Sequence, residues 1–174
     1  MNRAMMQSNK QNWGTPPGLF AAVSLVYGPF DLDVCALPQT AKCPAYYSLE
    51  NGDDGLSAPW RGACWCNPPY NQLRRWIEKG VAELRAGNCR RVVYLITARP
   101  DTIAWQDYIF PYASHVHFLR GRLKFIESES MRPAEHGAMF PSAVVVFDGP
   151  LMHRGNPLQW DAVAENKEHE RCPN

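Results

Sequence analysis

Asn67, Pro68, Pro69 and Tyr70 stand in a row, directly after the apolar run Cys64-Trp65-Cys66. This order of residue types suits chemistry on an amine. Two consecutive prolines lack backbone N–H groups, and each fixes φ near −65°. Each also pushes the residue before it toward an extended conformation. The loop is therefore stiff. It holds the Asn67 amide oxygen and the Pro68 carbonyl as acceptors in one place, with the Tyr70 ring beside them. Two fixed acceptors and a π face fit a planar group carrying –NH₂, such as a nucleobase. The plainer reading is that Pro68-Pro69 ends a strand and Tyr70 packs, because proline pairs mark loops more often than sites.

The elements that must position this corner follow from pattern. Residues 63–66 read as a buried strand entering it. Leu73, Trp76, Ile77, Val81 and Leu84 recur at helical spacing after it, and Gly87 closes that helix. Before it, residues 16–27 predict a helix, with Thr15 as N-cap, Pro16 at the first position and Gly28 at the end. Thr15 is either a cap alone or a cap that also meets an anionic ligand at the helix N-terminus. Residues 29–36 read as a strand ending in acid, because Phe30, Leu32 and Val34 alternate with Asp31 and Asp33. Carboxylates at the end of such a strand sit in the ligand crevice of an open α/β sheet. Residues 51–56 have turn composition, and the turn reading outweighs a ligand role for Asp53 or Asp54.

Residues 91–97 form a continuous apolar strand, as expected with helices on both faces. A helix over 101–110 and strands over 115–119, 122–126 and 143–147 follow, with a polar loop at 127–141. Tyr46-Tyr47 predicts a short strand. Strand alternating with helix argues for an α/β fold with a mostly parallel sheet, helices on both faces and an antiparallel edge. Residues 1–12 read as a mobile polar arm, 13–150 as one domain and 151–174 as a polar tail with a charged run at 165–171.

The chain has 174 residues, is 45% hydrophobic and 20% charged, and carries a formal charge of +1. That is ordinary globular composition for one domain. A near-neutral total does not point to a polyanion, but local basic groups do exist. They are Arg74, Arg75 and Lys79, then Arg90 and Arg91, then Arg120, Arg122 and Lys124. Taken singly, each reads as a solvated face. Cys35, Cys43, Cys64, Cys66, Cys89 and Cys172 fit no zinc spacing, and His115 and His117 have no acidic or thiol company, so no metal is expected. No signal peptide and no membrane-length apolar span is read, so reduced thiols in the cytoplasm are the expectation.

Taken together, Trp13-Gly14-Thr15-Pro16, Phe30-Asp31-Leu32-Asp33-Val34-Cys35-Ala36, and Asp54-Gly55-Leu56 leading to Asn67-Pro68-Pro69-Tyr70 resemble the phage-type DNA N6-adenine methyltransferases of the Dam family. Gly121-Arg122-Leu123-Lys124-Phe125 and residues 142–147 add to the likeness. The resemblance covers roughly residues 13–150. It implies a Rossmann-like methyltransferase that uses S-adenosylmethionine and acts on double-stranded DNA, in the host cytoplasm if phage-encoded. By it, Asn67, Pro68, Pro69 and Tyr70 form the catalytic loop. Thr15 and Pro16 approach the methionine end of the donor. Asp31, Asp33 and Cys35 occupy the first cofactor motif, and Asp54 with Leu56 lies near the donor's adenine. Arg74, Arg75, Arg120, Arg122 and Lys124 become candidates for phosphate contacts.

Two departures stand out. The glycine-rich turn common after the first strand is replaced by Val34-Cys35-Ala36-Leu37-Pro38, and no separate target-recognition domain fits in the chain. The competing readings are the same loop acting on cytosine N4, on an RNA base or on a protein glutamine, and a non-catalytic DNA-binding relative.

Overall fold

The computed structural model of the protein describes residues 13–154. The expected arm at 1–12 and the tail from 155 onward, including the charged run and Cys172, lie outside the described residues. The elements in chain order are β1 (Trp13–Gly14), α1 (Pro17–Tyr27), β2 (Leu32–Asp33), β3 (Gly62–Cys66), α2 (Leu73–Arg85), β4 (Cys89–Thr97), β5 (His115–Phe118), β6 (Ile126–Glu127) and β7 (Ser142–Asp148).

The apolar run after Arg91 becomes the central strand. β4 pairs in parallel with β3, which pairs in parallel with β2, while on its other side β4 pairs antiparallel with β7. β5 then pairs antiparallel with β7, giving the order β2-β3-β4-β7-β5. Two reversals leave β5 running with β4. Four strands therefore share a direction, but half of the pairings are antiparallel and the sheet is mixed. The expected antiparallel edge is present, formed by β7 and β5, whereas the expected mostly parallel sheet is corrected to a mixed one because the chain returns antiparallel at two of the four pairings.

Period-two alternation sends successive side chains to opposite faces. Cys64, Cys66, Val92, Tyr94, Ile96, Val145 and Phe147 join Leu73, Trp76, Ile77, Val81 and Leu84 of α2 in one buried cluster. Trp65, Val93, Leu95, Val144 and Val146 join Val23 of α1 in the other, with Leu19, Phe20 and Tyr27 packed against it. Helices thus cover both faces, as expected. Burying each large apolar side chain of α2 contributes about 1.5–3 kcal/mol. The Tyr94 hydroxyl ties this helix to β4 by donating to the Trp76 carbonyl at 2.9 Å. Gly87, at φ +74°, ends the helix, and its N–H reaches the Leu84 carbonyl.

Several local expectations change. Thr15 does not cap α1: Pro16 holds the cap position without a side-chain bond, and Thr15 is buried. The strand expected over 29–36 narrows to Leu32–Asp33, the two residues in register with Cys64 and Trp65 of β3. The short strand at Tyr46-Tyr47 is a parallel bridge from Tyr46 to Asp33. The helix expected at 101–110 is a π-helical segment, Ala104–Ile109, in which the Phe110 N–H reaches back to Trp105. It runs into the turn Phe110–Tyr112, where Pro111 has no N–H to continue an α ladder. The strand expected at 122–126 does not join the main sheet. Only Ile126–Glu127 is extended and paired, with β1 on one side and a bridge from Ile126 to Pro133 on the other.

Truncating Ile77, which is fully buried, to alanine should cost about 2–5 kcal/mol in urea denaturation. Leu25→Ala on the outer face of α1, where Leu25 is 89% exposed, should stay within about 0.5 kcal/mol of the parent.

Candidate active site

The corner expected at residues 67–70 sits where β3 leaves the sheet. Pro69 has φ −58° and ψ 126°, so the proline pair is extended, and a 3₁₀ turn over Tyr70–Gln72 leads into α2. The Pro69 carbonyl is occupied by the Gln72 N–H at 3.0 Å. The Pro68 carbonyl takes no hydrogen bond from the described residues. The Asn67 side chain donates from Nδ2 to the Trp13 carbonyl at 3.1 Å. A carbonyl only accepts, so the nitrogen end of the amide faces β1 and Oδ1 is turned away from it.

Tyr70 is 38% exposed and meets Phe125 edge-on at a centroid distance of 6.2 Å. Surrounding protein pushes its phenol pKa above the ordinary tyrosine value while more than a third of its surface stays open.

The end of β2 lies alongside. The Val34 N–H donates to the Trp65 carbonyl at 3.0 Å, holding the two strand ends level. Asp33 is buried and accepts from the Lys42 N–H at 3.0 Å and the Cys35 N–H at 3.3 Å, one on each oxygen. Burial dominates those two donors and pushes its pKa from 3.8 up to about 6. Its carboxylate thus closes the loop that follows β2. Cys35 is buried and makes a thiol hydrogen bond with Cys66, whose pKa burial drives well up.

The turn carrying Asp54 is pinned to the same strand end. A Cβ on Gly55 would come within 2.0 Å of the Val34 carbonyl oxygen, so only glycine allows that approach. Trp60 Nε1 holds the Gly55 carbonyl at 2.7 Å. Asp54 is exposed; its Oδ1 accepts from the Leu56 N–H at 2.9 Å and its Oδ2 from the Ser57 hydroxyl at 2.7 Å. Leu56 packs against the core on the α2 side.

The basic candidates divide. Arg120, Arg122 and Lys124 are exposed on the segment after β5. β5 runs with β3, so this segment emerges at the same end of the sheet as residues 67–70. It continues into Phe125, against Tyr70. Arg75 is exposed on the first turn of α2, whereas the Arg74 guanidinium is already paired with Glu78 at 2.7 Å.

The structure therefore gathers Thr15, Pro16, Asp33, Cys35, Asp54, Asn67, Pro68, Pro69 and Tyr70 at the carboxyl ends of β2 and β3. Asp31 is not among them. It accepts from the Ala63 N–H at 2.7 Å and pairs with Arg90 at 2.9 Å, at the opposite, entry end of β3 and β4. The carboxylate alternation that put Asp31 and Asp33 together places them at different depths of one strand.

Residue pattern alone missed two partners. The Trp13 carbonyl is a backbone group that no side-chain pattern reveals. Phe125 was legible only as an apolar residue beside a basic run. His115 and His117 are exposed on β5, with His117 hydrogen-bonded to the Tyr27 hydroxyl. Among the described residues no group of three or more His, Cys, Asp or Glu is arranged to hold a metal ion, and no helix is long and apolar enough to cross a membrane.

Because Asp33 binds a proton more readily folded than unfolded, its contribution is fully present below pH 3.8 and is lost as pH rises through about 6. Between pH 4 and 7.5 the unfolding free energy of the parent should fall relative to Asp33→Asn by up to ~3 kcal/mol. Urea titrations of both proteins at several pH values read this. A difference that does not move with pH would show that Asp33 ionises freely.

The chain is similar to several known proteins. The family model described as DNA N-6-adenine-methyltransferase (Dam) matches residues 3–170. The DNA N-6-adenine-methyltransferase of Haemophilus phage HP1 (strain HP1c1) is 27% identical over 165 residues, 93% of this chain and 92% of that protein. YfdM of Escherichia coli (strain K12) is 38% identical over 65 residues, which is 33% of this chain and 69% of that protein. Among solved structures, the 23S rRNA methyltransferase ErmE superposes with a TM-score of 0.48 at 14% identity, covering 91% of this chain and 76% of that one. With the family model spanning nearly the whole sequence, the chain belongs to the Dam family of DNA N-6-adenine methyltransferases.

Proposed function

We propose that the protein moves a methyl group from S-adenosylmethionine to N6 of an adenine swung out of double-stranded DNA at a specific sequence, with residues 13–150 as the catalytic unit, in the cytoplasm where that DNA lies. The observation that carries this reading is the turned Asn67 amide. Its nitrogen is taken by Trp13, so its oxygen and the Pro68 carbonyl, which takes no hydrogen bond from the described residues, stand as two acceptors beside the open Tyr70 ring.

The residues around the corner fit the donor in part. Asp54 is exposed, with carboxylate lone pairs still open to a hydroxyl or an amine, and Thr15-Pro16 and Cys35 border the same strand ends. Asp33 fits less well, because both its oxygens are already used, and Asp31 is remote. Thr15, Pro16, Cys35, Asp54 and Leu56 are the residues we assign to holding it. When bound, S-adenosylmethionine supplies a methyl group on a positively charged sulfur.

The chain's own groups do the rest. An adenine in a duplex is out of reach and must be extruded, which costs a few kcal/mol. Tyr70 recovers part of that by stacking, worth about 1–3 kcal/mol. The Asn67 Oδ1 and the Pro68 carbonyl accept hydrogen bonds from the two N6 hydrogens, one of which leaves as a proton to solvent once the methyl has been transferred. The N6 lone pair is delocalised into the ring until it attacks. As it attacks, the nitrogen gains positive charge and pyramidalises, and acceptor dipoles fixed in advance favour that state over the ground state. The stiffness of the proline pair keeps those dipoles from reorganising, and alignment of base and methyl supplies further acceleration. Arg75, Arg120, Arg122 and Lys124 meet the phosphates, and Arg74 does so once Glu78 releases it.

Incubating unmethylated DNA with the protein and challenging it with methylation-sensitive nucleases tests the reading; DNA cut as readily as the untreated control sinks it. Asn67→Ala should lower kcat by at least about 10²–10³-fold, with donor binding unchanged by calorimetry. Tyr70→Phe should keep most activity, since stacking uses the ring; an inactive Tyr70→Phe enzyme would remove that role. Neutralising Arg120, Arg122 and Lys124 together should flatten the salt dependence of DNA affinity by about 0.9 in log–log slope per lost contact.

A further inference from the structure

We infer that Trp13-Gly14 is a positioning element for Asn67: the backbone of β1, wedged between Thr40 and β6, decides which end of the catalytic amide faces the base. This deepens the reading above and rests on it.

The two ends of an asparagine amide have nearly the same shape and opposite hydrogen-bonding character. Rotating the group by half a turn would set an NH₂ against the substrate's NH₂ and leave N6 facing a donor. Something must therefore hold the amide by its nitrogen. In this chain the holder is a backbone carbonyl, Trp13, at 3.1 Å from Nδ2. Such a group cannot ionise, and no side-chain substitution removes it. Its position is set by β1 as a whole.

β1 is fixed from two sides. On one side it is laddered to β6, with Trp13 opposite Glu127 and Gly14 opposite Ile126. Phe125, next to β6, packs on Tyr70, so the same ribbon touches the corner at both Asn67 and Tyr70. On the other side lies Thr40. A Cβ built on Gly14 would stand 2.9 Å from Thr40 Cγ2 and 3.0 Å from Thr40 Cβ. The first distance is shorter than real Cβ contacts and the second is at the tight end of them, so a side chain at position 14 must displace the Thr40 methyl or lift β1. Thr40 is not free to yield. Its N–H donates to the Leu37 carbonyl at 3.0 Å, and its loop is closed onto β2 by the Lys42 N–H on Asp33. The contacts form one chain: Asp33, the loop at 37–42, Thr40, Gly14, the Trp13 carbonyl, and Asn67.

Gly14→Ala in the full chain tests this. The added methyl should lift β1 off Thr40 and loosen the tether. We expect kcat for DNA methylation to fall about tenfold, equivalent to ~1.4 kcal/mol, while KM for DNA and the binding constant for S-adenosylmethionine change less than twofold. The side-chain NH₂ pair of Asn67, followed by ¹⁵N NMR, should lose its slow exchange. Adding Thr40→Ala, which removes the atom at 2.9 Å, should restore at least half of the lost activity on a logarithmic scale and bring back the protected NH₂ signal. A Gly14→Ala protein with parental kcat and parental Asn67 signals overturns the inference. So does a loss of kcat with unchanged Asn67 signals that Thr40→Ala fails to recover.

If Gly14→Ala does not fold, Asn67→Asp carries the test. A carboxylate is a stronger acceptor than an amide but cannot donate to Trp13. Under the inference kcat falls more than tenfold, and any smaller fall, or activity at or above the parent, overturns it. Failure of the parent itself to methylate adenine in DNA would sink the functional reading instead, and the NMR comparison would still report on the tether.

Discussion

In the proposed reaction a primary amide is useful only when its oxygen faces the substrate. The Trp13 carbonyl accepts from the nitrogen of Asn67 and so turns that oxygen away from β1. The proline pair removes backbone freedom on the corner itself. The β1–β6 ribbon and Thr40 hold the carbonyl that does the selecting. A mobile loop with the same four residues would present the donor and acceptor ends of the amide in turn.

The sheet separates two kinds of charged group. At the entry end of the strands, Asp31 and Arg90 form a partly exposed ion pair of the sort that contributes little to stability. At the exit end, Asp33 is buried with both oxygens committed to backbone N–H groups. Burial outweighs those two bonds, so ionised Asp33 is a cost to the fold near neutral pH. Its compensation is geometric: it closes the loop that carries Thr40 against Gly14. The charge thus serves the position of that loop.

The basic residues and the core tell a similar story of direction. β5 runs with β3 although two antiparallel pairings lie between it and β4. That parity brings Arg120, Arg122 and Lys124 out at the same end as the corner. A simple antiparallel hairpin at the edge would have placed one of its turns at the opposite end. Phe125 converts this proximity into contact by packing on Tyr70.

The sequence by itself determined the corner, the two covering helices and the central strand. Proline chemistry acts within two residues, and a periodic apolar stripe such as Leu73, Trp76, Ile77, Val81 and Leu84 needs no distant partner to be read. The three signals at 13–16, 30–36 and 54–56 leading to 67–70, with 121–125 and 142–147, likewise sufficed for the family. Tertiary structure alone decided three matters. It parted Asp31 from Asp33, because alternation gives the face of a strand but not the depth at which each residue meets its neighbours. It sent residues 126–127 to β1 instead of the main sheet, because strand pairing is a long-range choice that local propensity does not encode. And it supplied the Trp13 carbonyl to Asn67, because a backbone acceptor is the same at every position until folding brings one particular copy of it within 3.1 Å of one particular amide.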